Sequence, residues 1–213
     1  MSADTADATM SSPLLSRGGF AVLPRFLDTA AANDLLAESL AAYNAATLTD
    51  IADNDAEEGR GGSPARRFFS APGGAVQAAI YNAPWMAELL TGLAGITIRP
   101  TGAMATFSYY VRPGDHIDVH RDILTCDVAV ITCLIDRDRE TAGGGLVVYP
   151  SRTGEPLSSI RGNRSREAEP VPLRPFESAV LFGGLIPHRV HAVAPGQQRV
   201  VSVMCFEAMA PPS

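Results

Sequence analysis

The stretch Tyr109-Tyr110-Val111-Arg112-Pro113-Gly114-Asp115-His116-Ile117-Asp118-Val119-His120-Arg121-Asp122 concentrates the reactive side chains of this sequence. A second stretch, Pro187-His188-Arg189-Val190-His191-Ala192-Val193-Ala194-Pro195-Gly196-Gln197-Gln198-Arg199, answers it. All 4 histidines of the 213 residues lie in these two stretches, a clustering that purely structural use of histidine does not require. In an extended strand positions i and i+2 share a face, so His120 and Asp122 project together. An imidazole nitrogen beside a carboxylate oxygen is two-thirds of a 2-His-1-carboxylate metal site. The remaining histidine has to come from the second stretch, from His188 or His191.

Working outward, runs rich in Val, Ile, Thr, Phe and Tyr at about 96–100, 103–110, 115–121, 126–135, 145–150, 176–182, 188–194 and 198–207 are separated by Gly, Pro and Asp, the pattern of short strands. Ahead of them, a short apolar strand near 19–27 leads into a helix over about 29–46. Asp28 or Thr29 is its N-cap, and Leu35, Leu36, Leu40 and Tyr43 fall at helical spacing. A second helix is expected near 84–93, with Asn82 as N-cap, Pro84 in the first turn and Gly95 past the end. The 48–74 segment, acidic and then carrying Arg60, Arg66 and Arg67 among Gly and Pro, reads as a long mobile loop. Two helices followed by many short strands predict an α+β chain whose body is a jelly roll, with early and late strands meeting at one mouth.

The length and an apolar fraction of 46% suit a single domain, placed at residues 17–213, with 1–16 as a disordered tail rich in Ser, Ala, Asp and Thr. The net charge of −6 is spread along the chain and no basic cluster is interleaved with aromatics, so no nucleic-acid partner is expected. Nor does any apolar run approach the ~20 residues of a membrane span. Cys126, Cys133 and Cys205 cannot all pair within the chain, and each sits in an apolar run. They read as buried thiols and, with that, as a sign of a cytoplasmic location. All 17 basic residues are arginine, which removes Schiff-base chemistry on lysine.

Tyr110, Pro113-Gly114, His120-x-Asp122, Gly144-Gly145-Leu146-Val147-Val148-Tyr149 and His188-x-Val190-x-x-Val193-x-x-Gly196 follow in one order. That order resembles the motif of the Fe(II)- and 2-oxoglutarate-dependent oxygenases, and most of all their prolyl-hydroxylase-like branch. The likeness spans roughly residues 100 to 207, in a motif-bearing jelly roll of about 96–207; its departure is that two residues rather than one separate Gly196 from Arg199. The resemblance implies a double-stranded β-helix (jelly-roll, cupin-like) core with N-terminal helices packed on the major sheet. It implies Fe(II) held by His120, Asp122 and His188, with 2-oxoglutarate and O2 as co-substrates.

By the same resemblance Arg199 takes the distal carboxylate of 2-oxoglutarate and Tyr110 hydrogen-bonds it; Thr132, on the adjacent strand, reads either as a further hydroxyl for the cofactor or as a core β-branched residue. Family spacing favours His120 over His116 and His188 over His191. His116 and Asp118 remain candidates for the pocket wall, and Tyr109 is the neighbour of Tyr110 should the turn shift.

With Asp122 in place, hydroxylation of an unactivated C–H with release of succinate and CO2 is the implied reaction, and halogenation is disfavoured. A free small molecule such as an amino acid or biosynthetic intermediate is the expected substrate, with the protein a monomer or homodimer. A peptidyl (prolyl-type) substrate is the alternative within this class. Outside it stand a cupin-like metal-binding protein without 2-oxoglutarate and a jelly roll that binds without catalysis. Loop arginines at Arg161, Arg164 and Arg166 read either as a substrate clamp or as solubilising charge.

Overall fold

The structure, a computed structural model, describes residues 12–137 and 143–209. Its strands in chain order are β1 (Phe20–Leu23), β2 (Thr47–Ile51), β3 (Arg66–Pro72), β4 (Ile98–Tyr110), β5 (His116–His120), β6 (Val128–Arg137), β7 (Leu146–Val148), β8 (Glu169–Val171), β9 (Ser178–Leu181), β10 (His188–Val190) and β11 (Gln198–Ala208). The helices are α1 (Thr29–Ala42), α2 (Ala75–Tyr81), α3 (Pro84–Ala94) and α4 (Leu157–Gly162). The strands pair antiparallel in the order β1-β9-β6-β11-β4-β3-β5-β10-β7-β8, with β2 added on β3. One cavity is lined by Ser108, Ile131 and Val201 from β4, β6 and β11 and by His120, Leu146 and His188 from β5, β7 and β10, so the two halves of this order face each other. The result is a nearly closed antiparallel barrel, the expected double-stranded β-helix.

The long central strands are apolar on both faces because both are covered. In β6, Val128, Val130 and Leu134 are buried on one side while Ala129 and Ile131 line the cavity on the other. The helices cover the outer face, as expected for N-terminal helices on the major sheet. Buried Gln77 of α2 donates to Ser202 Oγ (2.7 Å) and Thr106 O (3.0 Å), and Tyr81 Oη donates to Cys205 O (2.7 Å).

Asp28 caps α1 by accepting from Ala31 N (2.8 Å). Of the apolar face expected for that helix Leu35 is buried, whereas Leu40 and Tyr43 are exposed. The start of α2 is capped from outside: the Glu38 carboxylate of α1 accepts from Gly74 N (3.2 Å), Val76 N (2.7 Å) and Gln77 N (2.9 Å). Glu38→Ala is expected to cost about 1–2 kcal/mol, the worth of a strong cap. A denaturant titration checks this through a shifted midpoint with unchanged slope.

Several sequence expectations are corrected. The tail placed at 1–16 overlaps ordered structure. Leu14 is buried and its N–H donates to Leu93 O (2.9 Å), while residues 1–11 lie outside the described residues. The 48–74 loop is mostly not a loop: β2 and β3 pair across it, Asp50 opposite Arg67, leaving 52–65 as the connection. Asn82 ends α2 rather than starting α3, and Gly95 closes α3 in the left-handed region (φ 71°).

The cysteine reading also changes. Cys126 and Cys205 form a disulfide, and only Cys133 remains a buried thiol. Pairing of β11 with β6 sets Cys205 opposite Ala129, three residues from Cys126, so the long-range register brings together two sulfurs that the sequence keeps apart. The argument for a cytoplasmic location from separate thiols falls with it. No helix among the described residues is long and apolar enough to cross a membrane.

Candidate metal and co-substrate site

Antiparallel pairing of β10 with β5 sets His188 directly opposite His120, with ring centroids 4.3 Å apart. Each ring is fixed the same way. His120 Nδ1–H donates to Asp118 O (2.9 Å) and His188 Nδ1–H donates to Ile186 O (2.9 Å). A carbonyl can only accept, so the proton sits on Nδ1 and Nε2 is left to face inward, the arrangement that orients metal-binding imidazoles. Asp122 Oδ1 lies 3.6 Å from His120 Nε2 and 3.5 Å from His188 Nε2. One ligand atom from each of the three lies within 4.8 Å of the others. Two imidazole nitrogens and one carboxylate oxygen so disposed suit a divalent transition metal and occupy only one face of it.

Burial alone would raise the Asp122 carboxyl, but the two imidazoles outweigh it and hold the group well below the carboxylate range. Burial lowers His120, and His188 beside it adds to the effect. For His188 burial also lowers, yet the Asp122 carboxylate prevails and the net shift is upward. The backbone makes room for the carboxylate at Gly183, where a Cβ would lie 1.8 Å from Asp122 Oδ2.

The same cavity, of about 210 Å³, runs from these three residues to a second polar group. Pairing of β11 with β4 sets Arg199 opposite Tyr110, and both are buried. Arg199 Nη1 lies 3.6 Å from Asp136 Oδ2, while its Nη2 is buried without a hydrogen-bond partner among the described residues. Burial pushes the Tyr110 hydroxyl well above the phenol range, with Arg199 opposing. Gly144, at φ 70°, gives Arg199 its space, since a Cβ there would meet the arginine side chain at 3.3 Å. Between the two polar ends the wall is apolar, with Phe68 stacked on Tyr110 at 5.4 Å.

The other candidates fall elsewhere. Thr132 is not brought to the cavity: its hydroxyl is hydrogen-bonded to Ser178 Oγ (2.9 Å), while Ile131 before it points inward, so the cofactor contact expected of Thr132 is corrected. Ser108 lines the cavity instead, two residues from Tyr110 on the same face, a position that strand alternation could have flagged. Tyr109 faces the helices and donates to Ser39 O (2.7 Å). His191 Nε2 accepts from Arg189 Nη2 (2.9 Å), away from the three-residue cluster.

Asp118 supports the site rather than joining it. Its carboxylate, lowered to about 2 because Arg164 and neighbouring hydrogen bonds outweigh burial, receives Arg164 and Asn54 Nδ2 (3.0 Å). Arg164 is therefore an internal strut and not a free clamp. His116 Nδ1 is bonded to Gly114 O (2.8 Å).

No family model matches the sequence, and no curated protein matches it by sequence. Solved structures do match. A prolyl-4-hydroxylase of Pseudomonas putida is 16% identical with a TM-score of 0.61, over 94% of this chain and 99% of that one. An oxidoreductase of the 2OG-Fe(II) oxygenase family from Burkholderia pseudomallei is 13% identical with a TM-score of 0.61, over 94% and 92%. The epimerase SnoN, in complex with Fe3+, alpha ketoglutarate and nogalamycin RO, is 14% identical with a TM-score of 0.63, over 93% and 85%. The fold is that of the Fe(II)- and 2-oxoglutarate-dependent oxygenases. Prolyl hydroxylases are among the structures that share it, and in this chain it carries a His-x-Asp pair and a distal His able to hold a metal.

Proposed function

We propose that the chain is a non-haem Fe(II)- and 2-oxoglutarate-dependent dioxygenase, hydroxylating an unactivated C–H of a small molecule such as an amino acid or biosynthetic intermediate. The observation that carries this reading is one cavity with a triad able to hold a metal at one end and, at the other, the buried Arg199 guanidinium whose Nη2 has no hydrogen-bond partner among the described residues. A buried polar donor without a partner is costly, and a dicarboxylate of which one end chelates a metal supplies that partner at the other. His120, Asp122 and His188 would hold Fe(II), and Arg199 with Tyr110 would hold the distal carboxylate of 2-oxoglutarate.

When bound, these groups supply the oxidising power: one oxygen atom of O2 goes to the substrate C–H and the other to succinate, with loss of CO2. The protein's share is placement. The Nδ1 hydrogen bonds of both histidines fix their rings, Asp122 brings negative charge to balance the metal, and the apolar wall excludes water from the co-substrate. A cupin-like protein that binds metal alone has no use for a buried arginine facing its cavity, so Arg199 favours the oxygenase reading.

The test is an anaerobic titration of the metal-free protein with Fe(II) and 2-oxoglutarate, followed in the visible. The expected result is the weak charge-transfer band of 2-oxoglutarate chelated to iron, shifting when the right substrate class is added. Iron binding without that band would remove the co-substrate from the reading.

A further inference from the structure

Asp122 lies outside any strand, at the head of a turn over residues 122–127 that leads into β6. Strand pairing therefore does not by itself place its carboxylate. Its N–H donates to Gly183 O (2.8 Å), and the rest of the turn is gripped by one side chain from far upstream. Arg60 Nε donates to Asp122 O (3.1 Å), Nη2 donates to Cys126 O (2.9 Å) and to Ile123 O, and Nη1 pairs with Asp127 Oδ1 (2.5 Å). All three guanidinium nitrogens thus end on a turn of six residues.

The chain opposite is bare where this grip passes. A Cβ on Gly184 would lie 2.5 Å from Arg60 Cζ, just as one on Gly183 would strike the Asp122 carboxylate. Adjacent glycines admit the ligand and the group that holds its backbone.

The 52–65 connection that carries Arg60 is itself tied down. Asn54 bridges Asp118 and Ala65 N (2.8 Å), and Glu58 O accepts from Arg121 Nη1 (2.5 Å). The far end of the turn has separate restraints, the Cys126–Cys205 bridge and the bond from Ala208 N to Asp127 Oδ2 (2.7 Å). Among the described residues, Arg60 is the side chain that reaches the Asp122 carbonyl.

We infer that Arg60 is a positioning residue of the metal centre: by binding the main chain from Asp122 to Asp127 it fixes where the Asp122 carboxylate stands against the two Nε2 atoms. The inference rests on the metal-site reading given above. Arg60 touches none of the three ligand atoms and acts through the backbone. The Arg60–Asp127 pair keeps its side chains 23% and 25% exposed to solvent, where screening limits what an ion pair adds to global stability. A planar fork satisfied by several carbonyls at fixed angles specifies geometry, and groups that orient metal ligands are typically worth 10- to 100-fold in metal affinity.

The experiment titrates metal-free wild type, Arg60→Ala and Arg60→Lys with Co(II) alone, following the visible ligand-field spectrum, with a thermal melt and a thiol count on each. The expected result is a roughly tenfold or greater loss of Co(II) affinity and an altered band shape in Arg60→Ala, with the disulfide intact. Arg60→Lys should fail to restore either, because one ammonium cannot replace the fork, and it is read in place of Arg60→Ala should that variant not fold. Wild-type affinity and spectrum in the variant read would overturn the inference while leaving the metal site standing. Failure of the wild type to bind Co(II) would instead overturn the metal-site reading, and this inference with it.

Discussion

Arg199→Ala should weaken 2-oxoglutarate binding about a hundredfold while leaving Fe(II) binding in place. The guanidinium is buried, faces the cavity opposite Tyr110, and has one nitrogen with no partner among the described residues. Charge-assisted hydrogen bonds contribute about 1.5–3 kcal/mol each. Loss of two, with water recovering part, leaves a deficit of about 3 kcal/mol, or two powers of ten in affinity. The metal cluster lies at the other end of the cavity and shares no hydrogen bond with Arg199, so iron affinity is the internal control.

Because alanine also takes the cation away from Asp136, Arg199→Lys separates the effects. It keeps the charge but loses the planar two-point match, and should fall between wild type and alanine. The measurement is the amplitude of the 2-oxoglutarate charge-transfer band against concentration at saturating Fe(II), without oxygen. An unchanged midpoint in Arg199→Ala would mean that another group holds the distal carboxylate.

The residues of the site were legible where one strand's periodicity sufficed. His120 with Asp122 is an i, i+2 pair, and Tyr110 lies on the face that the cavity uses. At Thr132 the sequence leaves a cofactor hydroxyl and a core residue open, because β6 is apolar on both faces; with Ile131 inward, Thr132 points out to Ser178 and is a core residue. Matters decided by contacts between distant segments were not legible. The helix α2 draws its cap from Glu38 on another helix, so no local N-cap residue announces it. The 52–65 connection looks like a mobile loop by composition, yet Arg60, Asn54 and Glu58 bond it to the main body. The Cys126–Cys205 bridge follows from the β6–β11 register, which the two apolar runs do not specify by themselves.

Asp122→Asn and His188→Ala should each abolish turnover and reduce Fe(II) affinity by at least two orders of magnitude, whereas His191→Ala should do neither. The three ligand atoms form one electrostatic unit. Asp122 Oδ1 sits 3.6 and 3.5 Å from the two Nε2 atoms, and that carboxylate is the one anion of the cluster beside two imidazoles whose rings lie 4.3 Å apart, tilted by 52°. Asparagine keeps the shape of the side chain and leaves the main-chain bond from the N–H of residue 122 to Gly183 O in place, so the fold is retained while the charge is lost. With two neutral nitrogens and no anion, the site has to bury a divalent cation uncompensated. His188→Ala removes a ligand from a set of three, and the two that remain no longer define a face.

His191 is the discriminating control. It is a histidine three residues from His188, yet its Nε2 is already engaged by Arg189 and it lies outside the cavity. Metal titration of the four proteins, beside far-ultraviolet spectra to show that each is folded, checks the ordering. Wild-type iron affinity in Asp122→Asn would remove the carboxylate from the site, and loss of iron in His191→Ala would return the choice of distal histidine to the two candidates that the sequence offers.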